Sequence, residues 1–331
     1  MPLLTFTDSG IYCPKADVYI DPWRPVKYAI ITHAHADHSR AGNQFYWCHH
    51  HSKPIIQHRL GQDIRIESTE YGLRKTINGV HFSLHPAGHI IGSAQVRVEY
   101  KGEVWVVSGD YKLENDGLCA PYETVKCHVF ISECTFGLPV FKWKKDFEVF
   151  GEINQWWQKN AEEGKTTLLI GYALGKAQRL IQGVDDSIGK IYTHGAVEKT
   201  NELMREMKLP FKDTIYVQPE ISTKDYESNL IVAPPSALGS TWLKKFKNLE
   251  VGIASGWMNL RGPRRRRSVD RGFVLSDHAD WDGLNRAIRN SECEKVILTH
   301  GYTDIFSKYL NEIRIETQVE SSEFEGELLE V

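Results

Sequence analysis

Residues 26–38, Val26-Lys27-Tyr28-Ala29-Ile30-Ile31-Thr32-His33-Ala34-His35-Ala36-Asp37-His38, set the fold class. An apolar, β-prone run ends abruptly in three imidazoles and a carboxylate. Histidine and carboxylate suit zinc and similar divalent ions. In an extended segment, positions 33, 35 and 37 face one side, and a turn brings in 38. One loop can therefore serve two adjacent metals. A chance polar turn is a poor account of H-x-H-x-D-H directly after a strand.

Outward from this loop the same layout recurs. Gln95–Tyr100, Glu103–Ser108 and His128–Ser132 read as strands, rich in Val, Ile, Tyr and Phe. Polar clusters flank these strands: Ala87-Gly88-His89, Ser108-Gly109-Asp110 and Ser132-Glu133-Cys134-Thr135. Polar loops held by a rigid sheet are the usual layout of a site. After Gly137 the texture changes. Helices are expected at Lys145–Asn160, Ala173–Val184, Ala196–Met207 and near Leu238–Asn248. Strands are expected at Thr166–Ile170, Lys190–Thr193, Thr214–Val217, Leu230–Ala233 and Glu250–Ser255. This alternation predicts a parallel α/β layer. From Arg271 the first texture returns: a strand to Leu275, a helix over Asp280–Arg289, a strand at Lys295–Thr299 and a last helix. The expected organisation is a sandwich-like domain in two parts, residues 1–138 and 271–331, interrupted by an inserted α/β domain over 139–270.

Composition excludes several classes. Hydrophobic residues make up 41% and charged residues 25% of the 331, so disorder, collagen and coiled coil do not fit. No apolar run approaches the ~18 residues of a membrane span, and no secretory leader is read. The six cysteines show no C-x-x-C spacing, which predicts reduced thiols and a cytoplasmic protein. A net charge of −3 does not announce a nucleic-acid binder, although an overall balance hides local patches.

The motifs together resemble the metallo-β-lactamase superfamily. H-x-H-x-D-H at 33–38 is similar to its hallmark. His89 in AGHIIGSAQV, Asp110 in SGD and Asp21 in YIDPW resemble its other motifs. Three further stretches resemble the β-CASP nuclease branch: Glu133 in SECTFG, His278 in SDHADW and His300 in LTHGY. GYALGKAQRLI, residues 171–181, is similar to another conserved region of that branch. The resemblance runs from about residue 17 to 302. It is most like the bacterial DNA exonucleases encoded beside an ATP-dependent DNA ligase and a helicase.

This resemblance implies an αββα sandwich with a β-CASP-like insertion and a site in the cleft between them. His33, His35 and His89 would hold one metal; Asp37, His38 and His300 a second; Asp110 would bridge both. Asp21 would orient a ligand histidine through its other ring nitrogen. Two divalent metals, zinc or manganese, suit in-line displacement at phosphorus. His278 would protonate the leaving oxygen, with Glu133 holding its ring, and Asp37 is counted with the catalytic carboxylates. The implied activity is exonuclease action on single-stranded DNA in repair, with ligase and helicase as functional partners and no membrane. The alternative is an RNA-processing endo- or exoribonuclease of the same fold. A thioester or lactone hydrolase would lack the counterparts of Glu133 and His278.

Softer candidates remain. Arg264, Arg265, Arg266 and Arg267 are candidate phosphate contacts, equally well read as a charged hinge. Ser236, Gly239 and Ser240 read as an ordinary helix cap rather than a phosphate turn. Trp143, Trp156 and Trp157 read as core rather than base-stacking platforms. His49-His50-His51 follows no recognised strand and reads as a solvated loop.

Overall fold

The computed structural model describes residues 2–218, 222–260 and 269–324. The arginines at 264–267 lie outside the described residues. Two compact units emerge, one running up to Lys142 and resuming at His278, the other spanning Trp143–Asp277.

The first unit holds two sheets. A six-stranded sheet orders Thr5–Thr7, Gly10–Cys13, Val18–Ile20, Tyr28–Ile30, Phe45–His49 and Ile66–Thr69. A seven-stranded sheet orders Glu316–Val319, Lys295–Gly301, Val129–Cys134, Glu103–Val107, Ala94–Tyr100, Val80–Pro86 and Lys75–Ile77. Their inner faces share one core. Ile11, Val18, Ile20, Ile30 and Trp47 come from the first sheet, and Phe82, Leu84, Val96, Val107 and Ile131 from the second. The alternation of strand side chains sends Val106, Phe130, Val296 and Leu298 to the opposite face. There they are covered by Trp281, Leu284, Ile288, Phe306 and Leu310 of helices Trp281–Ser291 and Thr303–Glu312. A helix at Ser52–Leu60 packs on the first sheet and buries Ile55 and Ile56. The layers are thus helix, sheet, sheet, helix.

Strand direction positions the functional loops. In the second sheet Val80–Pro86 and Glu103–Val107 both run antiparallel to the strand between them, and Glu103–Val107, Val129–Cys134 and Lys295–Gly301 are mutually parallel. All four therefore point the same way. His89, Asp110, Glu133 and His300 lie at or just beyond their carboxyl ends. Two glycines make the close approach feasible. At Gly109, φ is +56° and a Cβ would meet the Thr32 side chain at 2.8 Å. At Gly301, φ is +97° and a Cβ would overlap the Cys134 carbonyl oxygen at 2.2 Å. Any side chain there would push Asp110 or His300 out of place.

The second unit is a six-stranded, all-parallel sheet: Ile215–Tyr216, Ile191–Thr193, Leu230–Ala233, Thr166–Ile170, Leu249–Ala254 and Arg271–Phe273. Thr166–Ile170 and Leu230–Ala233 are buried at every position, as parallel strands covered on both faces require. Helices Asp146–Glu162, Lys176–Gly183 and Gly195–Glu206 accompany it. Trp156 and Trp157 are core residues here. Arg179 is buried, donating to the Ser276 carbonyl and pairing with Asp277 and Asp146.

Three expectations are corrected. The strand at Arg271–Phe273 pairs with Leu249–Ala254 and so belongs to the inserted unit, moving the return to the first unit to His278. The helix near Leu238–Asn248 is two short 3-10 turns, Pro235–Ala237 and Thr241–Lys245, because Gly239 between them adopts φ +73°. Ser236 and Ser240 therefore cap no α-helix. His49 is no solvated loop residue: it ends the strand Phe45–His49 and is 1% exposed. Among the described residues no helix is long and apolar enough to cross a membrane, and none of the six cysteines forms a disulfide.

Candidate metal centre

All ten candidate residues outside the arginine run lie in the first unit, and the structure gathers the other nine around Asp110. Ligand atoms of His33, His35, His89 and Asp110 lie within 4.8 Å of one another. On Asp110 Oδ2 converge Nε2 of His33 at 3.5 Å, of His38 at 3.5 Å and of His89 at 3.8 Å. The other oxygen, Oδ1, faces His300 Nε2 at 3.2 Å. Asp37 approaches His38 Nε2 at 3.5 Å. Asp110 thus has imidazoles on both oxygens, His33, His38 and His89 on Oδ2 and His300 on Oδ1.

The surrounding hydrogen bonds decide which ring nitrogen is available. Asp21, 1% exposed and at φ +45°, accepts from Thr32 N at 2.7 Å, from the Thr32 hydroxyl, and from His38 Nδ1 at 2.8 Å. Thr32 Oγ1 in turn lies 3.0 Å from His33 Nδ1. Thr299 Oγ1 lies 2.9 Å from His300 Nδ1. With the Nδ1 atoms so engaged, it is Nε2 of His33, His38 and His300 that turns toward Asp110.

The donor set fits divalent metal. Nε2 of His33 and of His38 are buried and have no hydrogen-bond partner, a costly state for polar atoms unless a ligand takes them. His35 Nδ1 and His89 Nε2 lie 3.1 Å apart, a hydrogen bond when one carries a proton and two converging donors for a cation when neither does. Burial, then the neighbouring His38, pushes His33 well below its usual value and keeps it neutral. Burial also opposes charge on His38, yet Asp37, Asp110 and Asp21 outweigh it and push the ring up to about 10. Burial raises Asp110, but His38, His278, His300 and His33 prevail and hold it well below the carboxylate range. The carboxylates thus favour a proton on His38, and a metal held there would compete with it.

Beside this cluster, Glu133 grips His278. Both Glu133 oxygens lie within hydrogen-bond reach of His278 Nδ1, at 2.9 and 2.8 Å. Glu133 is itself fixed by Tyr111 N at 2.9 Å and Thr135 Oγ1. The helix that follows is capped by Asp280, which accepts from Gly283 N at 2.8 Å, so His278 is not spent as a cap. Its ring lies 4.7 Å from that of His89.

Three contributors were not read from the sequence. Thr32 and Thr299 orient the histidines that follow them, and the repeated Thr-His pair at 32–33 and 299–300 was the available signal. Phe324 stacks face to face on His38, centroids 4.3 Å apart, and edge-on to His300 at 5.6 Å. Glu323 beside it pairs with Arg24 and Arg40. No local pattern marks a phenylalanine so distant in sequence from the ring it contacts.

Asp21→Asn tests the orientation network. An amide donor facing His38 Nδ1 would favour the tautomer with its proton on Nε2 and block that lone pair. Metal affinity, measured by chelator competition, is expected to fall ~10–100-fold, with activity restored by excess metal. Unchanged affinity would show that the His38 ring is set by other contacts.

No family model matches the chain. A probable DNA ligase of Opitutus terrae is 27% identical over 311 residues, covering 93% of this chain and 30% of that protein. Cleavage and polyadenylation specificity factor 73 of Drosophila melanogaster is 28% identical over 124 residues, 37% of this chain and 18% of that one. Endoribonuclease YSH1 of Gibberella zeae is 30% identical over 139 residues, 40% of this chain and 16% of that one. The likeness supports the superfamily resemblance drawn from the motifs. The chain spans less than a third of the length of each of these relatives. A crystal structure of a protein of unknown function from Enterococcus faecalis aligns with TM-score 0.62 at 12% identity, covering 91% of this chain and 80% of that one, and shows a shared fold.

Proposed function

We propose that this chain is a two-metal nuclease that hydrolyses phosphodiester bonds of nucleic acid, built as a metallo-β-lactamase-type sandwich with a β-CASP-like insertion. The observation that carries the reading is Asp110, buried between two sets of imidazoles, beside the Glu133–His278 pair. His33, His35 and His89 would hold one metal and Asp37, His38 and His300 the other, with Asp110 available to both. Zinc suits this nitrogen-rich set, and manganese suits its carboxylates. When bound, the pair of metals supplies a nucleophile at neutral pH and neutralises charge on the phosphoryl group.

The protein's own groups do the rest. Glu133 accepts the Nδ1 proton of His278, which leaves Nε2 as the atom that carries a proton to the leaving oxygen. Thr32, Thr299 and Asp21 hold the ligand rings so that no reorientation is needed during turnover.

Single-stranded DNA, degraded from the 5′ end, is the preferred substrate in this reading. Similarity over nearly the whole chain to part of a protein named DNA ligase supports work alongside strand joining; a helicase as a further functional partner is implied by the motif resemblance alone. An RNA-processing role is the second reading, favoured by the shorter matches to an endoribonuclease and a polyadenylation factor.

End-labelled DNA and RNA strands of matched sequence, incubated with the protein and zinc or manganese, separate the two. The expected result is release of mononucleotides from the 5′ label of DNA. Faster cleavage of RNA, or internal fragments, would favour the second reading. Cleavage of neither strand would reject both.

A further inference from the structure

We propose that His49, His50 and His51, completed by Glu70, bind a third metal ion of the zinc(II) class, separate from the centre around Asp110. The three rings pack against one another, tilted for His49–His50 and His50–His51 with centroids 4.2 and 3.8 Å apart, and edge to face for His49–His51 at 5.2 Å. One ring nitrogen from each lies within 4.8 Å of the others. Glu70 Oε2 lies 3.1 Å from His50 Nδ1 and adds a carboxylate. Three imidazoles and one carboxylate are a zinc-type donor set, too rich in nitrogen for magnesium or calcium. None of these residues belongs to the set around Asp110, so the proposal stands independently of the function proposed above.

His49 shows that the cluster is built rather than a loose run of surface histidines. It is held at a strand end, 1% exposed, with Tyr71 stacked on its face at 3.6 Å. Its Nε2 is buried and has no hydrogen-bond partner. Its Nδ1 receives only a long contact, 3.3 Å, from the His51 N–H. The neutral ring therefore keeps its proton on Nε2, where nothing accepts it. Ligation at Nε2 moves that proton to Nδ1 and gives up only the long contact.

The location gives such an ion a consequence. Ser52, next after His51, donates to the Gly92 carbonyl at 2.8 Å. Tyr71 donates to the Ser93 carbonyl at 2.8 Å. Ser93 Oγ accepts from His89 N at 3.1 Å. The cluster therefore buttresses the loop that presents His89.

Counting metal tests this. The full chain is stripped with chelator, titrated with zinc(II) alone and analysed for bound equivalents after gel filtration. The expected count is three per chain. Asp110→Ala should retain one, and His50→Gln and His51→Gln, tested separately, should each retain two. The third site's affinity should fall by more than the ~10–100-fold typical of losing an outer partner. Circular dichroism confirms that each variant is folded; His50 and His51 are less buried than His49, which makes them the safer substitutions. Cobalt(II) titration of Asp110→Ala should give a single set of d–d bands that His50→Gln abolishes. A wild-type metal count, whatever its value, that both histidine variants leave unchanged would overturn the proposal. A wild type that binds one equivalent, lost in His51→Gln, would instead overturn the two-metal reading and leave this one standing.

Discussion

Asp110→Ala is expected to remove both metals of the proposed centre and to reduce nuclease activity to background, a larger loss than the ~10²–10⁴-fold that removal of one general acid costs. The reason is geometric. Asp110 is the carboxylate reached by imidazoles on both of its oxygens, by His33, His38 and His89 on Oδ2 and by His300 on Oδ1. Electrostatics argue the same way. The buried carboxylate balances cations that would otherwise crowd four rings in a low-dielectric pocket. Alanine leaves those rings in place without the balancing charge, so each metal position loses a ligand and a neutralising partner together. Replacement of His89 instead should weaken one position more than the other, because His89 approaches only Oδ2. Mass spectrometry of the metal content, with activity measured on the same preparations, separates these outcomes. Full metal content in Asp110→Ala would show that this carboxylate does not join the two positions.

The residues of the candidate metal centre stood out in the sequence because their signal is local or ends a strand. His33 to His38 form one loop, and Asp110, Glu133 and His300 each close a run of β-prone residues. The first sheet was mostly not legible. Thr5–Thr7 and Val18–Ile20 are three-residue strands, too short for an alternation to show. Burial is also non-local: nothing around Phe45–His49 in sequence announces the Tyr71 ring that covers His49. The strand Arg271–Phe273 was recognised as a strand but assigned to the wrong side of the boundary. Its membership is decided by pairing with Gly252–Ala254, a tertiary fact. The contact of Phe324 with His38 is of the same kind.

His278→Ala is expected to keep the metals and lose turnover by ~10²–10⁴-fold, whereas Glu133→Gln is expected to lose less. His278 is not placed like the other rings. Its Nδ1 is committed to Glu133, and its partner carboxylate is tied in turn to Tyr111 N and Thr135 Oγ1. That rigid backing suits a group that must present one nitrogen to a leaving oxygen in a fixed direction. In Glu133→Gln one oxygen remains to accept from Nδ1, so the ring keeps much of its orientation while losing the charge that favours its protonated form. The two variants also differ in substrate dependence. A good leaving group, such as the p-nitrophenolate of an activated phosphodiester, needs little proton assistance. His278→Ala should therefore be far less damaged on that substrate than on an oligonucleotide, while metal content stays at the wild-type level. Equal losses on both substrates would argue against proton donation. Loss of metal along with activity would make His278 a ligand, which its position within 4.8 Å of Asp110 makes a real physical alternative for the experiment to decide.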